Sequence, residues 1–136
     1  MAKQIRDRKL NGGQGMNWIR KEKRLALYLR DGLACVWCGL SVEDGAQLTL
    51  DHLKPHSKGG SNEAGNLVTC CQRCNSSRGN RSVKSFAEAV ASYLNHGVKA
   101  ADILANIERT RKAGFDVQAA REIIARRGGW TSALKG

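Results

Sequence analysis

Apolar residues recur at helical spacing near the start of the chain and again over its last third. The first predicted helix runs from about residue 17 to residue 30, and its apolar face consists of Trp18, Leu25, Tyr28 and Leu29. Asn17 is its candidate N-cap, and Asp31-Gly32 marks its end. The pattern therefore predicts an amphipathic helix close to the N-terminus.

Three further helices are predicted after residue 82. The first of them begins at a capping box of Ser85 and Glu88 and ends near Asn95-His96-Gly97. The next covers Ala100–Lys112, and the last runs from an Asp116 cap to Gly128-Gly129. Their apolar stripes are most simply explained as core.

The middle of the chain alternates between apolar and polar residues in the manner of strands. Residues 47–53 predict one strand, residues 54–65 a loop, and residues 67–69 a short second strand. The sequence thus indicates an α+β fold with three parts: a flexible basic arm (1–16), a central domain (17–82) and a helical C-terminal extension (83–136) packed on or beside the core.

The net charge of the chain gives information about its binding partner. The 136 residues include 23 Lys and Arg and 12 Asp and Glu, which leaves a net charge of +11. The net charge is +7 over residues 1–30, zero over 31–82 and +4 over 83–136. A positive field of this size favours nucleic acid as the partner, held by the two flanks of a neutral middle.

Two other classes of protein do not fit. The longest apolar run, residues 25–29, is far shorter than the roughly 20 residues of a membrane helix. No apolar stretch follows the charged N-terminus, so a secretory signal is not expected. We therefore expect a cytoplasmic protein with no membrane partner, in a compartment where disulfides are rare.

The five cysteines need another explanation, and their spacing supplies one. Two Cys-x-x-Cys pairs, Cys35 with Cys38 and Cys71 with Cys74, can together hold a tetrahedral zinc ion. The alternatives are buried structural thiols, or a redox dithiol at one pair. Cys70 is left over, and a buried thiol that binds no metal is its expected role.

The insert between the two pairs carries the residues suited to catalysis. Asp51 and His52 point to opposite faces of the predicted strand, and Asn75 follows the last cysteine, where a helix should begin. A carboxylate and an amide oxygen suit Mg²⁺, and a histidine can remove a proton from water. His56, beyond Pro55, is weighed as a metal ligand against a polar loop residue, and His96 as a surface or capping residue.

These motifs in this order resemble those of the HNH endonucleases. The resemblance covers about residues 24–82: the run from Arg24 into Asp31-Gly32-Leu33-Ala34-Cys35, then Leu50-Asp51-His52, Gly59-Gly60-Ser61, Asn66-Leu67-Val68 and Cys71-Gln72-Arg73-Cys74-Asn75 through Arg81. The family implies a zinc-stapled ββα-metal core, here with an N-terminal helix and a C-terminal helical extension. Asn75 stands where many members have a histidine, so the chain is similar to the H-N-N variant.

The resemblance also implies a role for each matched residue. His52 is expected to be the general base, Asn66 to brace the loop that orients it, and Asp51 and Asn75 to hold a catalytic Mg²⁺ or Mn²⁺. Cys35, Cys38, Cys71 and Cys74 are expected to hold the structural zinc. The residues expected to contact nucleic acid are basic: Arg78, Arg81, Lys54, Lys58, Arg20, Lys23 and Arg24.

The expected function is metal-dependent hydrolysis of phosphodiester bonds in double-stranded DNA, by nicking or double-strand cleavage at a low or short sequence specificity. The alternative is a zinc-dependent DNA-binding protein, or a phage packaging or assembly accessory protein, with weak or no cleavage. Small HNH proteins of phages and mobile elements suggest two further partners, a second copy of the chain or phage packaging machinery.

Overall fold

The structure is a computed structural model that describes residues 18–94 and 97–128. The regular elements of this part of the chain are α1 (Lys21–Arg30), β1 (Leu48–His52), β2 (Leu67–Cys71), α2 (Gln72–Arg78), α3 (Val83–Leu94), α4 (Ala100–Lys112) and α5 (Val117–Arg127). No helix within these ranges is long and apolar enough to cross a membrane. The basic arm, Asn17, His96 and Gly129 lie outside the described residues.

A two-stranded antiparallel sheet and one helix form the centre of the fold. Leu48 pairs with Cys71 and His52 pairs with Leu67, so the two strands are aligned over their full length. Helix α2 begins directly after β2 and packs against both strands. The predicted α+β fold, with a ββα unit at its centre, is confirmed.

The centre differs from prediction at the end of β2. The strand continues to Cys71 because Cys70 and Cys71 pair with Thr49 and Leu48 of β1. Helix α2 then begins at Gln72, before Asn75, because the Cys71 sulfur accepts a hydrogen bond from the backbone N–H of Cys74 at 3.4 Å. Cys71 is therefore both the last strand residue and the N-cap of the helix.

Some helix boundaries agree with prediction and others differ. Helix α1 begins at Lys21 rather than near residue 17, after an Arg20 N-cap that makes no side-chain hydrogen bond, so Trp18 precedes the helix. The ends of α4 and α5 agree with prediction, since Asp116 caps α5 by accepting from the Ala119 N–H at 2.9 Å, and Gly128 ends it at a φ of 79°. The predicted capping box of Ser85 and Glu88 is wrong. Helix α3 begins at Val83, because Ser82 Oγ accepts from the Ser85 N–H at 3.1 Å.

The helices after residue 82 bury their apolar faces against the central elements. Phe86, Ile103 and Ile107 share a core with Trp37 and with the buried side of β2. Helix α5 packs on α1, where Ala120 and Ile124 meet Leu25 and Ala26. The apolar stripes of the C-terminal helices are thus core, as expected.

Three basic side chains hold the loop between the two strands. Lys23 donates to the carbonyl oxygen of Asn62 at 3.2 Å, Arg30 to that of Ala64 at 2.9 Å and Arg111 to that of Gly65 at 2.7 Å. These donors come from α1 and α4, on either side of the loop. Residues 61–66 are therefore fixed by two helices that are far from them in sequence.

The same loop contains a glycine that no other residue can replace without movement. A Cβ atom at Gly60 would lie 1.8 Å from the carbonyl oxygen of Lys54 and 2.7 Å from its carbon. Both are backbone atoms, and the Gly60 N–H also donates to the Pro55 oxygen at 2.9 Å. The loop can close beside His52 only because residue 60 has no side chain.

We expect Gly60→Ala to destabilise the protein by about 1–3 kcal/mol, since the backbone must move to admit the methyl group. Gly114→Ala is the control, because a Cβ there meets nothing within 4 Å, and its effect should stay within about 0.5 kcal/mol. Urea unfolding of both variants measures the difference. Equal midpoints would contradict the close approach at Gly60.

Candidate functional site

Four cysteines form a cluster at the start of α2. The sulfur atoms of Cys35, Cys38, Cys71 and Cys74 all lie within 4.8 Å of one another. Tetrahedral zinc with Zn–S bonds of about 2.3 Å requires sulfurs about 3.8 Å apart, and the sulfurs of Cys38 and Cys71 lie 3.8 Å apart. The structure thus brings together the four ligands that the spacing predicted, in an arrangement that can hold zinc.

The pKa values of the clustered thiols indicate that a bound cation would stabilise their charged forms. A hydrogen bond from Cys74 lowers the pKa of the Cys35 thiol to about 5, and the same bond raises the pKa of Cys74. Burial raises the pKa of Cys38, and the neighbouring sulfurs raise it further. Without a metal ion the four sulfurs cannot all be thiolates, whereas a bound Zn²⁺ would compensate their charge.

Cys70 is not part of the cluster. Its side chain is fully buried in the core with Trp37 and Phe86. Burial raises its pKa well above the ordinary value for a thiol, and the nearby Asp51 carboxylate raises it further. A thiol in this state is inert, as expected from its place beside the second pair.

Replacing Cys71 by serine should remove zinc and unfold the domain, because structural zinc contributes about 10–16 kcal/mol of apparent binding energy. Cys70→Ala is the matched control and should keep one equivalent of zinc. Metal content per chain and the thermal midpoint check both variants. Full zinc content and an unchanged midpoint in Cys71→Ser would exclude a four-cysteine site.

A buried ion pair joins α2 to the end of β1. Arg78 donates from Nη1 to Oδ2 of Asp51 at 2.6 Å, and the Trp37 indole donates to the same oxygen at 3.3 Å. Arg78 also donates to the carbonyl oxygens of His52, Leu53 and Arg81, at 3.0, 2.9 and 3.1 Å. Its guanidinium thus holds the backbone on both sides of His52.

The ion pair changes the expected role of Arg78. Its side chain is only 3% exposed, so it cannot be one of the residues that contact DNA at the surface. Arg24 differs in the same way: it is 2% exposed, donates to the Tyr28 hydroxyl at 3.2 Å and lies over the Trp18 ring. Both arginines are therefore internal residues of the fold, although the Nη2 of Arg24 has no hydrogen-bond partner among the described residues.

The other basic residues of the predicted interface are more accessible. Arg20, Lys54, Lys58 and Arg81 are exposed, whereas Lys23 is half-buried and bonded to Asn62. Lys54 and Lys58 belong to the loop that follows β1, and Arg81 follows α2. Three of the four exposed charges therefore lie on segments that directly adjoin the ββα unit, and Arg20 lies at the start of α1.

His52 ends β1, and its ring is confined on more than one side. Its Nε2 lies 2.8 Å from Oδ1 of Asn62. The Trp18 ring lies beside it, with centroids 4.9 Å apart at 35°, and the exposed His56 ring is 6.0 Å away. The imidazole is half-buried, so it is both fixed and open to a small reactant.

Asn66 binds the backbone of the loop. Its Oδ1 accepts from the Lys54 N–H at 2.8 Å, and its Nδ2 donates to the oxygens of Lys54 and Ser61 at 3.1 and 2.8 Å. One side chain thus joins the two ends of the segment between residues 54 and 61. This geometry is what bracing of the loop beside His52 requires.

Asp51 and Asn75 have the chemistry needed for a hard cation. Burial raises the pKa of Asp51, although Arg78 opposes the shift. Its Oδ1 has no hydrogen-bond partner among the described residues, and the side chain is 11% exposed. Asn75 is exposed on α2, which packs against β1. The free Asp51 oxygen and the Asn75 amide oxygen are the candidate ligands for a metal ion that keeps several waters.

Sequence reasoning missed three residues of this site, Asn62, Trp37 and Trp18. Each acts through a side chain that contacts His52 or Asp51. A signal was present only for Trp37, a large aromatic residue inside a Cys-x-x-Cys pair, where a buried position is imposed by the neighbouring ligands. The contacts of Asn62 and Trp18 depend on how the loop and α1 meet β1.

Comparison with known proteins agrees with this geometry. Residues 35–81 match the family model of the HNH endonucleases, the family that the motifs of this segment resemble. The segment contains Asp51, His52, Asn66 and Asn75 together with all four clustered cysteines.

A relative with the same kind of segment is the CRISPR-associated endonuclease Cas9 of Actinomyces naeslundii. It is 40% identical over 58 residues, which cover 42% of this chain and 5% of that protein. The crystal structure of the Type II-C Cas9 enzyme from the same organism aligns with 89% of this chain and 12% of its own, at 23% identity and a TM-score of 0.47. The chain thus spans a small part of the relatives it matches.

Arg78→Met should destabilise the protein by about 3–5 kcal/mol, because it leaves Asp51 as a buried charge without its partner. Arg81→Met, which removes an exposed arginine three residues further along the chain, should cost at most about 0.5 kcal/mol. Urea unfolding compares the two variants. The double variant Arg78→Met with Asp51→Leu should recover part of the stability lost in Arg78→Met. Equal stability of Arg78→Met and Arg81→Met would contradict the role of the ion pair.

Proposed function

We propose that this protein is a metal-dependent endonuclease that hydrolyses phosphodiester bonds of double-stranded DNA, with His52 as its general base. The observation that carries the proposal is the match of residues 35–81 to the HNH endonucleases, in which His52 occupies a fixed and partly open position at the end of β1. A protein that only binds DNA has no need of a histidine held in this way.

The proposed reaction is the attack of a water molecule on the phosphodiester. His52 removes a proton from a water molecule, whose oxygen forms a bond to phosphorus while the bond to the leaving 3′ oxygen breaks. The leaving oxygen then takes a proton from solvent. Asp51 and Asn75 are the residues we propose to hold Mg²⁺ or Mn²⁺, which when bound supplies positive charge beside the phosphate.

The charge distribution supports a duplex as the substrate. Lys54, Lys58 and Arg81 are exposed on segments next to the ββα unit, Arg20 is exposed at the start of α1, and residues 1–30 carry a net charge of +7. Contacts of this kind bind the phosphate backbone without reading sequence, and they weaken as salt rises. This agrees with cleavage of low sequence specificity.

Nothing in the described part of the chain favours a homodimer or packaging partner, so neither is part of the proposal.

Plasmid nicking in Mg²⁺ or Mn²⁺ tests the function. His52→Ala should lower the rate about 10²–10⁴-fold, the usual contribution of a general base, and should leave zinc content and DNA affinity unchanged. His56→Ala is the matched control, since this exposed histidine lies 6.0 Å from His52 by ring centroids, and it should keep its activity.

Three outcomes would contradict the proposal. If the wild-type protein binds DNA but does not cut it in the presence of Mg²⁺ or of Mn²⁺, it is a zinc-dependent binding module. If His52→Ala cuts at the wild-type rate, the base is another residue. If EDTA added after zinc is bound leaves nicking intact while zinc is retained, no second metal ion takes part.

A further inference from the structure

We propose that Asn62 is a positioning residue that fixes the tautomer of the His52 ring, so that Nδ1 is the atom that receives the proton of the attacking water. The inference rests on the proposed function, since it assigns an atom to the general base. Its starting point is the 2.8 Å contact between Oδ1 of Asn62 and Nε2 of His52. An amide oxygen can only accept a hydrogen bond, so Nε2 must carry the hydrogen.

The consequence for the ring follows from the chemistry of imidazole. In the neutral ring one nitrogen is a donor and the other holds a lone pair. With hydrogen on Nε2, the lone pair is on Nδ1, on the other side of the ring from Asn62. The nitrogen next to Asn62 is thus engaged within the protein, and the other one is left to act as the base.

Asn62 can perform this task because its own position is fixed. Its backbone oxygen accepts from Lys23 of α1 at 3.2 Å. On one side the Ser61 oxygen accepts from Asn66 at 2.8 Å, and on the other the Ala64 oxygen accepts from Arg30 at 2.9 Å. Three side chains therefore hold the backbone around Asn62, so little entropy remains to be lost when its amide meets His52.

A second contact restricts rotation of the ring. Trp18 lies against His52 with a centroid distance of 4.9 Å, and the Arg24 guanidinium lies over Trp18 at 5.5 Å from its centroid. Asn62 fixes the ring through an atom at its edge, whereas Trp18 packs against it. The two contacts together hold the direction in which Nδ1 points.

The contact should also favour the reaction. When Nδ1 accepts the proton from water, the electron pair of the water O–H bond stays on the oxygen that attacks phosphorus, and the ring becomes an imidazolium. The Nε2–H bond to Asn62 persists, and it becomes stronger because its donor is now charged. Asn62 therefore stabilises the charged ring more than the neutral ring, which assists proton transfer.

The first test is spectroscopic and does not depend on activity. In the full-length protein with ¹⁵N-labelled histidine, the signals of His52 are those missing from the His52→Ala spectrum. In the neutral ring we expect hydrogen on Nε2 and none on Nδ1. We expect Asn62→Leu to give a mixture of the two neutral forms, whereas Asn106→Leu, in α4, should match the wild type. Hydrogen on Nδ1 in the wild-type protein would overturn the proposal.

The second test is the pH dependence of plasmid nicking. Asn62→Leu should lower the rate about 10- to 100-fold, the loss expected on removing a hydrogen bond to a charged group, with zinc content and DNA affinity unchanged. Asn62→Asp should keep most of the rate but move the rising limb of the profile to higher pH, because a carboxylate favours the charged ring. If Asn62 only held the loop in place, Asn62→Asp would not shift the pH profile of nicking.

The two tests separate failure of this inference from failure of the proposed function. If the wild-type protein nicks DNA and both Asn62 variants keep its rate and pH profile, the positioning role is wrong and the function stands. If the wild-type protein does not nick, the function is wrong, and the ¹⁵N spectra alone decide whether Asn62 sets the form of the ring.

Discussion

The buried guanidinium of Arg78 is the interaction on which the site depends. It binds the Asp51 carboxylate and three backbone oxygens, among them those of His52 and Leu53. Removing a guanidinium from water is costly, and the cost is offset only when its donors are satisfied and a counter-charge is near. Arg78 lies one helical turn after Cys74. The cysteine cluster therefore positions the start of α2, and the arginine ties the end of the same helix to the strand that presents His52.

This arrangement divides the positive charge of the chain into two kinds. Arg24, Arg30, Arg78 and Arg111 direct donors to groups inside the protein, mostly backbone oxygens of the segments around His52. Arg20, Lys54, Lys58 and Arg81 are exposed. The net charge of +11 therefore describes structural donors as well as a surface for DNA. Only the exposed group is expected to release counterions on binding and to contribute to salt dependence.

Local signals predicted some boundaries well and others poorly. Helices α4 and α5 agree with prediction because their ends depend on residues next to them in sequence, such as Asp116 and Gly128. The predicted start of α3 is wrong because two serines, Ser82 and Ser85, can each serve as a cap, and in the structure Ser82 accepts the hydrogen bond from the Ser85 N–H. Strand β2 is longer than predicted because its last residues pair with β1, a contact between distant parts of the chain.

The sequence by itself determined the four clustered cysteines, the α+β class and the match to the HNH endonucleases, because each depends on residue types at fixed spacing. It also singled out His52, Asn66, Asp51 and Asn75. Only the tertiary structure decided which side chains those residues meet: Arg78 with Asp51, and Asn62 with His52. Spacing defines which residues share a face of a strand or helix. The partners come from other elements, so they are known only once packing has brought those elements together.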